Sequence, residues 1–264
     1  MRPYPACRFA GSITAGTAGT EERLMFIDMH HHLIYGIDDG ARDFAGTEKM
    51  IRDAVENGVD AIITTPHITP GQEPFPYETY LAHLEETRAF LAREGIPLKL
   101  YTGAEILYTP NTPRLLQEGR VPTLAGGQYV LLEFSPDDPF KHILDAAAKT
   151  AAAGYVPVIA HVERYAQVKK TAQLLKLRRE CNALIQMNNG TVVHKHRFFK
   201  ERWVRRILKE GLIDFVSSDS HDLPGRKNRM RAAFERLSAD YGDDVAHALT
   251  CGNARRLLLS ETEM

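Results

Sequence analysis

Short apolar runs that end in polar residues recur along this chain, and stretches of helical spacing separate them. The first run, Leu24-Met25-Phe26-Ile27, passes into Asp28-Met29-His30-His31-His32. A helical pattern then begins near Thr47, carries Met50, Ile51, Ala54 and Val55, and stops at Gly58. The apolar, β-branched run 59–64 follows and leads into Thr65-Pro66-His67. Leu81, Leu84, Phe90 and Leu91 predict a helix over 77–93, closed by Gly95 ahead of a strand over 97–101. Beyond Gly103-Ala104-Glu105 the pattern predicts strands over 128–134, 156–160, 183–187 and 213–217. Helical patterns over 139–153, through Leu174, Leu175 and Leu177, and over 203–208 lie between them. Two more, 229–237 and 245–259, complete the chain.

That makes about seven strands, mostly separated by helices. They read as continuous apolar runs, which suits a parallel sheet buried on both faces. Polar residues close nearly all of them: the histidines after Asp28, then His67, Glu105, Glu133, His161, Asn188-Asn189 and Asp219-Ser220-His221. In a (β/α) barrel the C-terminal strand ends converge on one mouth. An open doubly wound sheet would use only a few ends at its switch point. A barrel with its site at the C-terminal ends is therefore expected. The loop Pro70-Gly71-Gln72-Glu73-Pro74-Phe75-Pro76 follows His67 and should lie beside that mouth.

At 264 residues the chain has the length of a single α/β barrel domain, and 44% hydrophobic residues can fill its core. A net charge of −1 points to neither nucleic acid nor an anionic membrane as partner. Lys169-Lys170 and Arg205-Arg206 fall within helical patterns and read as solvated faces. Three scattered cysteines, Cys7, Cys181 and Cys251, argue against a disulfide framework and fit a reducing cytoplasm. No stretch approaches the ~18 apolar residues of a membrane span. Residues 1–24 are rich in Gly, Ala and Thr and read as a disordered extension, leaving 25–264 as one domain.

Several strand ends carry metal-ligating side chains. His30 and His32 are two apart on a strand, so their imidazoles share a side, which suits zinc or a transition metal; a His-rich surface loop is the alternative. His31 should face the other way, packed or hydrogen-bonded. Glu133 sits in Val130-Leu131-Leu132-Glu133-Phe134, where a bare charge would be expensive, so it needs a metal or an ion-pair partner. Asp219 and His221 repeat the two-apart spacing. Asp39, in Asp38-Asp39-Gly40, is either part of a turn or a ligand. With His67, Glu105 and His161 these residues offer enough ligands for two or three metals, with Glu133 as the candidate bridge. Such clusters generate hydroxide at neutral pH and clamp phosphoryl oxygens. Arg164 and Arg226 stand near the ligands and match phosphate geometry, or are surface residues. His83, His142 and His247 fall in helical patterns and read as surface or packing residues; His194 and His196 lie in a loop after the sixth strand, where solvent exposure is favoured over substrate contact. Six residues after the three cysteines stand Ile13, Met187 and Leu257, so the Cys-x5-Arg loop of cysteine phosphatases is absent.

Asp28-x-His-x-His, Gly36-Ile-Asp-Asp-Gly, Thr65-Pro-His, Gly103-Ala-Glu-Ile, Leu132-Glu-Phe, His161-x-Glu-Arg-Tyr and Ser218-Asp-Ser-His-Asp together resemble the PHP (polymerase and histidinol phosphatase) superfamily. Within it they are most similar to bacterial tyrosine-protein phosphatases of the CpsB/YwqE type. The resemblance implies a distorted (β/α)7 barrel and a cluster of two or three divalent metals: manganese first, with iron, zinc or magnesium as the other choices. It implies that His30, His32 and Asp219 hold one metal, with Glu133 bridging to a second held by His67 and His161. Asp39, Glu105 and His221 would take the third, and Arg164 and Arg226 the phosphate. It further implies a cytoplasmic enzyme whose partner is the phosphotyrosine tail of a bacterial tyrosine kinase in capsule or exopolysaccharide regulation, with homo-oligomers compatible and no membrane insertion. The family commonly has a second His where Ile68 stands, Pro where Tyr35 stands and His-Pro-Glu-Arg where Val162 stands. A phosphatase for a small phosphomonoester such as histidinol phosphate, and a catalytically inactive binding module, are the competing readings.

Overall fold

A computed structural model describes residues 26–72, 75–221 and 226–258. The expected extension over 1–24, with Cys7, lies outside the described residues. Nine parallel strand segments are present among them: β1 (Phe26–His31), β2 (Val59–Thr64), β3 (His67–Ile68), β4 (Lys99–Tyr101), β5 (Glu105–Leu107), β6 (Tyr129–Glu133), β7 (Val156–Ile159), β8 (Leu184–Asn188) and β9 (Phe215–Ser217). They form two sheets, β1-β2-β4 and β3-β5-β6-β7-β8-β9. A parallel bridge from His31 to Ser220 brings the first strand against the segment leaving the last, so the sheet curls back on itself.

The curl separates two apolar environments. Ile27, Met29, Ala61, Ile63, Leu131, Val158 and Phe215 form one cluster inside it. Ile106, Val130, Leu132, Ile159, Ile185 and Val216 join a larger cluster that includes Ile143, Leu174 and Ile207 of the surrounding helices. Alternate residues of one strand thus serve different layers, which is why Val130-Leu131-Leu132 is apolar throughout. Full burial of each such side chain contributes about 1.5–3 kcal/mol. Two residues beyond Leu131, Glu133 shares its face and ends β6 at the rim.

The helices follow the expected spacing, with Tyr77–Arg93 and Phe140–Ala152 nearly as anticipated. Phe44–Glu56 starts earlier than its apolar pattern, because Asp43 caps it by accepting from the Gly46 N–H at 2.8 Å. The expected helix over 245–259 is instead broken into Asp243–His247, a π turn over Ala248–Gly252, and Arg255–Leu258. The expected strands over 59–64 and 97–101 are present as β2 and β4, and each is followed by a further short segment, β3 and β5. Proline at 66 has no N–H to donate and separates β2 from β3. Gly103 separates β4 from β5: a Cβ there would lie 2.7 Å from Ile63 Cγ2, so only glycine permits the approach. Consequently Glu105 opens a strand segment where the apolar pattern suggested a strand end.

Candidate metal centre

Local backbone features aim the side chains. Between Asp28 and His31 the register of β1 against β2 slips, and such bulges re-aim side chains near sites. Across it the His30 and His32 Nε2 atoms approach to 3.2 Å. His161 follows Ala160, which faces the interior, so an uninterrupted strand would turn it outward. Its φ of 26° breaks the alternation and brings it to the cluster, while its N–H donates to Gln186 Oε1 at 2.5 Å. Asp219 is also left-handed, at φ 52°, and its N–H donates to the His30 carbonyl. Left-handed non-glycine residues at two candidate ligands are strain of the kind that concentrates at functional sites. Gly40 completes the turn that carries Asp38 and Asp39. A Cβ there would meet the His32 carbonyl oxygen at 2.2 Å.

Glu105 lies at the centre and is fully buried. Its Oε2 is 3.1 Å from His30 Nε2, 3.2 Å from His32 Nε2 and 3.2 Å from His67 Nδ1; its Oε1 is 2.7 Å from His161 Nε2. Glu133 is further out, 3.4 Å from both His67 Nδ1 and His161 Nε2. Asp219 Oδ1 lies 3.5 Å from His30 and 3.6 Å from His32. On the outer side Asp39 Oδ1 is 3.1 Å from His221 Nε2 and 3.4 Å from His67 Nε2. Three groups emerge whose potential donor atoms lie within 4.8 Å of one another: His30, His32, Glu105 and Asp219; His67, Glu105 and Glu133; and His32, Asp39, His67 and His221. Glu105 belongs to two of them. Glu133, the carboxylate to which the sequence pointed as a bridge, belongs to one.

These donors fit divalent cations. Among the described residues Glu105 Oε2 and His221 Nε2 are buried with no hydrogen-bond partner, and both point into the cluster. Two imidazole Nε2 atoms at 3.2 Å, beside buried carboxylates, form the mixed N/O set that zinc, manganese and iron accept. Without a cation, protons hold the cluster together. Burial opposes charge on His32, but the hydrogen bond to Asp38 and the Glu105 carboxylate beside the ring outweigh it and hold the imidazolium to about 10. Burial likewise disfavours charge on His161, yet Glu105 and Glu133 raise it to about 9. Glu133 is lowered to about 2 against its burial, by hydrogen bonds from His161 and His67. Burial, with the positive His32 beside it, pushes His221 down to about 4.

Every sequence-predicted ligand lies in this cluster, and both arginines border it. Arg164 Nη2 is 2.6 Å and Arg226 Nη1 3.2 Å from Asp219, and each arginine side chain is more than a third exposed. His31 is fully buried, but neither ring nitrogen has a hydrogen-bond partner among the described residues, so it is packed rather than bonded. Sequence reasoning missed the supporting carboxylate Asp38, which takes the His32 Nδ1 at 2.6 Å and the His67 N–H at 3.0 Å. It also missed Gln186, which binds Asn188 and Ser217 beneath the site. The available signal was a lone amide inside Ala183-Leu184-Ile185-Gln186-Met187. Asn188 donates to Asp219 Oδ2 at 2.7 Å, which explains the Asn-Asn strand ending.

Parallel strands curled around polar residues at their C-terminal ends, with clustered imidazoles and carboxylates, define a metallohydrolase type of site. The chain belongs to the capsular polysaccharide synthesis CpsB/CapC family, whose model matches residues 26–259. It is 27% identical to the tyrosine-protein phosphatase CpsB of Streptococcus pneumoniae, over 89% of this chain and 99% of that one. It is 30% identical to the tyrosine-protein phosphatase YwqE of Bacillus subtilis, over 89% of this chain and 92% of that one. In a study of YwqE from Bacillus subtilis and CpsB from Streptococcus pneumoniae, described as metal-dependent tyrosine phosphatases, one structure superposes with a TM-score of 0.80. That match has 28% identity and covers 90% of this chain and 96% of that one.

Proposed function

We propose that this protein is a metal-dependent phosphotyrosine phosphatase acting on a protein substrate, with a bacterial tyrosine kinase tail as the substrate class. The observation that carries the reading is the buried Glu105 carboxyl set among His30, His32, His67 and His161, all at 3.2 Å or less. Family membership and the phosphatase relatives support it. Two or three divalent metals would be held by the three donor groups, in which Glu105, His32 and His67 each belong to two. We read the nine strand segments as seven strand paths of a distorted barrel, β2 continuing into β3 and β4 into β5, with residues from 25 onward forming one domain. The free, buried Cys181 and Cys251 suit a reducing cytoplasm.

Bound divalent ions would supply hydroxide at neutral pH and neutralise charge on the phosphoryl oxygens. The chain's own residues do the rest. Arg164 and Arg226, released from Asp219, take the non-bridging phosphate oxygens in bidentate fashion and stabilise the charge developing on them. Asn188 keeps Asp219 oriented when the arginines turn to substrate. Asp38 fixes the His32 ring so that its Nε2 faces the cluster. Neither described cysteine touches the cluster, and both thiols are pushed up by burial, away from the thiolate form. A chelator is therefore expected to abolish hydrolysis of a phosphotyrosine peptide, while thiol alkylation leaves it intact. Hydrolysis that survives exhaustive removal of metal contradicts the proposal.

A further inference from the structure

The two most exposed large apolar side chains among the described residues are adjacent: Phe198 at 72% and Phe199 at 83%. Their rings meet edge to face at 5.6 Å. They open the helix Phe198–Lys209, which connects the parallel strands β8 and β9. A connection between parallel strands must run back against them, so this helix begins at the mouth end of the sheet. Lys195, Arg197, Lys200 and Arg202 flank the two phenylalanines in sequence, all exposed, and none has a carboxylate partner among the described residues. The one acid between them, Glu201, is engaged by Arg205 Nε at 2.9 Å and by the His196 N–H. In a chain of net charge −1, four free cations flanking two bare phenylalanines in sequence are a local concentration.

Hydrogen bonds tie this surface to the site. His196 Nε2 donates to the Thr191 carbonyl at 2.8 Å, and the Thr191 hydroxyl donates to Glu163 Oε1 at 3.0 Å. Glu163 also accepts from the Asn188 N–H and adjoins Arg164, which pairs with Asp219. The patch is thus fixed relative to the mouth.

We infer that Lys195, Arg197, Phe198, Phe199, Lys200 and Arg202 dock an acidic segment of the protein substrate that flanks the phosphotyrosine. The identity of the residue in the mouth rests on the phosphatase reading above; the docking itself does not require turnover. Cations provide steering and register toward acidic side chains, and the phenyl rings supply apolar area at the centre. Placement at the rim favours a substrate segment over a lipid surface. His194 and His196, for which solvent exposure was expected, then belong to the wall of a binding surface.

The test is fluorescence anisotropy of a labelled, unphosphorylated peptide with acidic residues around a tyrosine, against the same peptide with lysine flanks. The full-length protein is compared with its Phe198→Ser/Phe199→Ser and Lys195→Glu/Arg197→Glu/Lys200→Glu variants. All five positions are exposed, so the thermal melts should match wild type. Wild type should prefer the acidic peptide, more so at low salt, and each variant should bind it about tenfold more weakly. Trp203, the only tryptophan, lies four residues after Phe199 and should change emission on binding. Turnover of para-nitrophenyl phosphate should be the same in all three. Equal binding of the two peptides by wild type, or unchanged binding by both variants, overturns the inference. Loss of sedimentation with phosphatidylglycerol vesicles while peptide binding persists assigns the patch to lipid and also overturns it. Failure of the metal-loaded wild type to hydrolyse a phosphotyrosine peptide would sink the phosphatase reading alone.

Discussion

At the scale of single residues, the position of Glu105 distinguishes this cluster from the arrangement that its motifs suggest. Glu105→Gln keeps the shape but removes the charge that four imidazoles approach, so bound metal and activity should fall by at least about 100-fold. Glu133→Gln touches only one donor group and should lose less. A greater loss of metal in the Glu133 variant, measured by elemental analysis, would restore Glu133 as the bridge. Asp38→Asn should weaken metal affinity by about 10–100-fold without touching the metal, because His32 loses the charge that orients its ring. All nine ligand candidates were legible because ligand chemistry needs few residue types and strand ends place them at regular intervals. Their pairing was not legible. Which carboxylate is central depends on where Gly103 lets two strand paths approach, and on positive φ at His161 and Asp219. Neither leaves a mark in hydrophobic periodicity.

Among elements, the apolar runs and helical spacings gave the succession of strands and helices, because burial on both faces selects continuous apolar sequence. The short segments β3 beyond Pro66 and β5 beyond Gly103 and the π turn over Ala248–Gly252 escaped it, since stretches this short show no hydrophobic period. The turn after β1 carries the sharpest structural expectation. Gly40→Ala would place a Cβ 2.2 Å from the His32 carbonyl oxygen, a backbone atom, and 2.7 Å from the His32 Cβ, which moves only with that backbone. The variant should be destabilised by about 2–4 kcal/mol in urea unfolding and should bind less metal, because the turn that carries Asp38 and Asp39 must move. Wild-type stability with intact metal content would show that the turn is looser than its packing indicates.

Over the whole molecule, protons and metals compete for one cluster. His32, at about 10, and His161, at about 9, both lie above the ordinary imidazole value of 6.5. Their pairings with carboxylates stabilise the metal-free fold fully below 6.5, and that contribution is lost as the pH rises through 9 to 10. Glu133, lowered from 4.5 to about 2, acts in the opposite sense: its contribution is present above 4.5 and lost as the pH falls toward 2. The melting temperature of metal-free protein should therefore decline between pH 7 and 10, whereas metal-loaded protein should hold. Calorimetry in buffers of different ionisation enthalpy should register protons released on loading at pH 7 from His32 and His161, and from His67, which Glu133 and Glu105 also raise. A flat alkaline limb in the metal-free protein would remove the imidazolium pairs from the picture.

One paired measurement tests whether the metal cluster carries out phosphotyrosine hydrolysis. Purified wild type and His161→Ala are analysed for bound metal and, on the same samples, for hydrolysis of a phosphotyrosine peptide. Wild type is expected to carry two or three divalent ions per chain, on the order of the donor groups available, and to release phosphate. The variant should lose metal and activity together. Phosphate release by a variant stripped of metal, or metal-loaded wild type that leaves the peptide untouched, would contradict that role of the cluster.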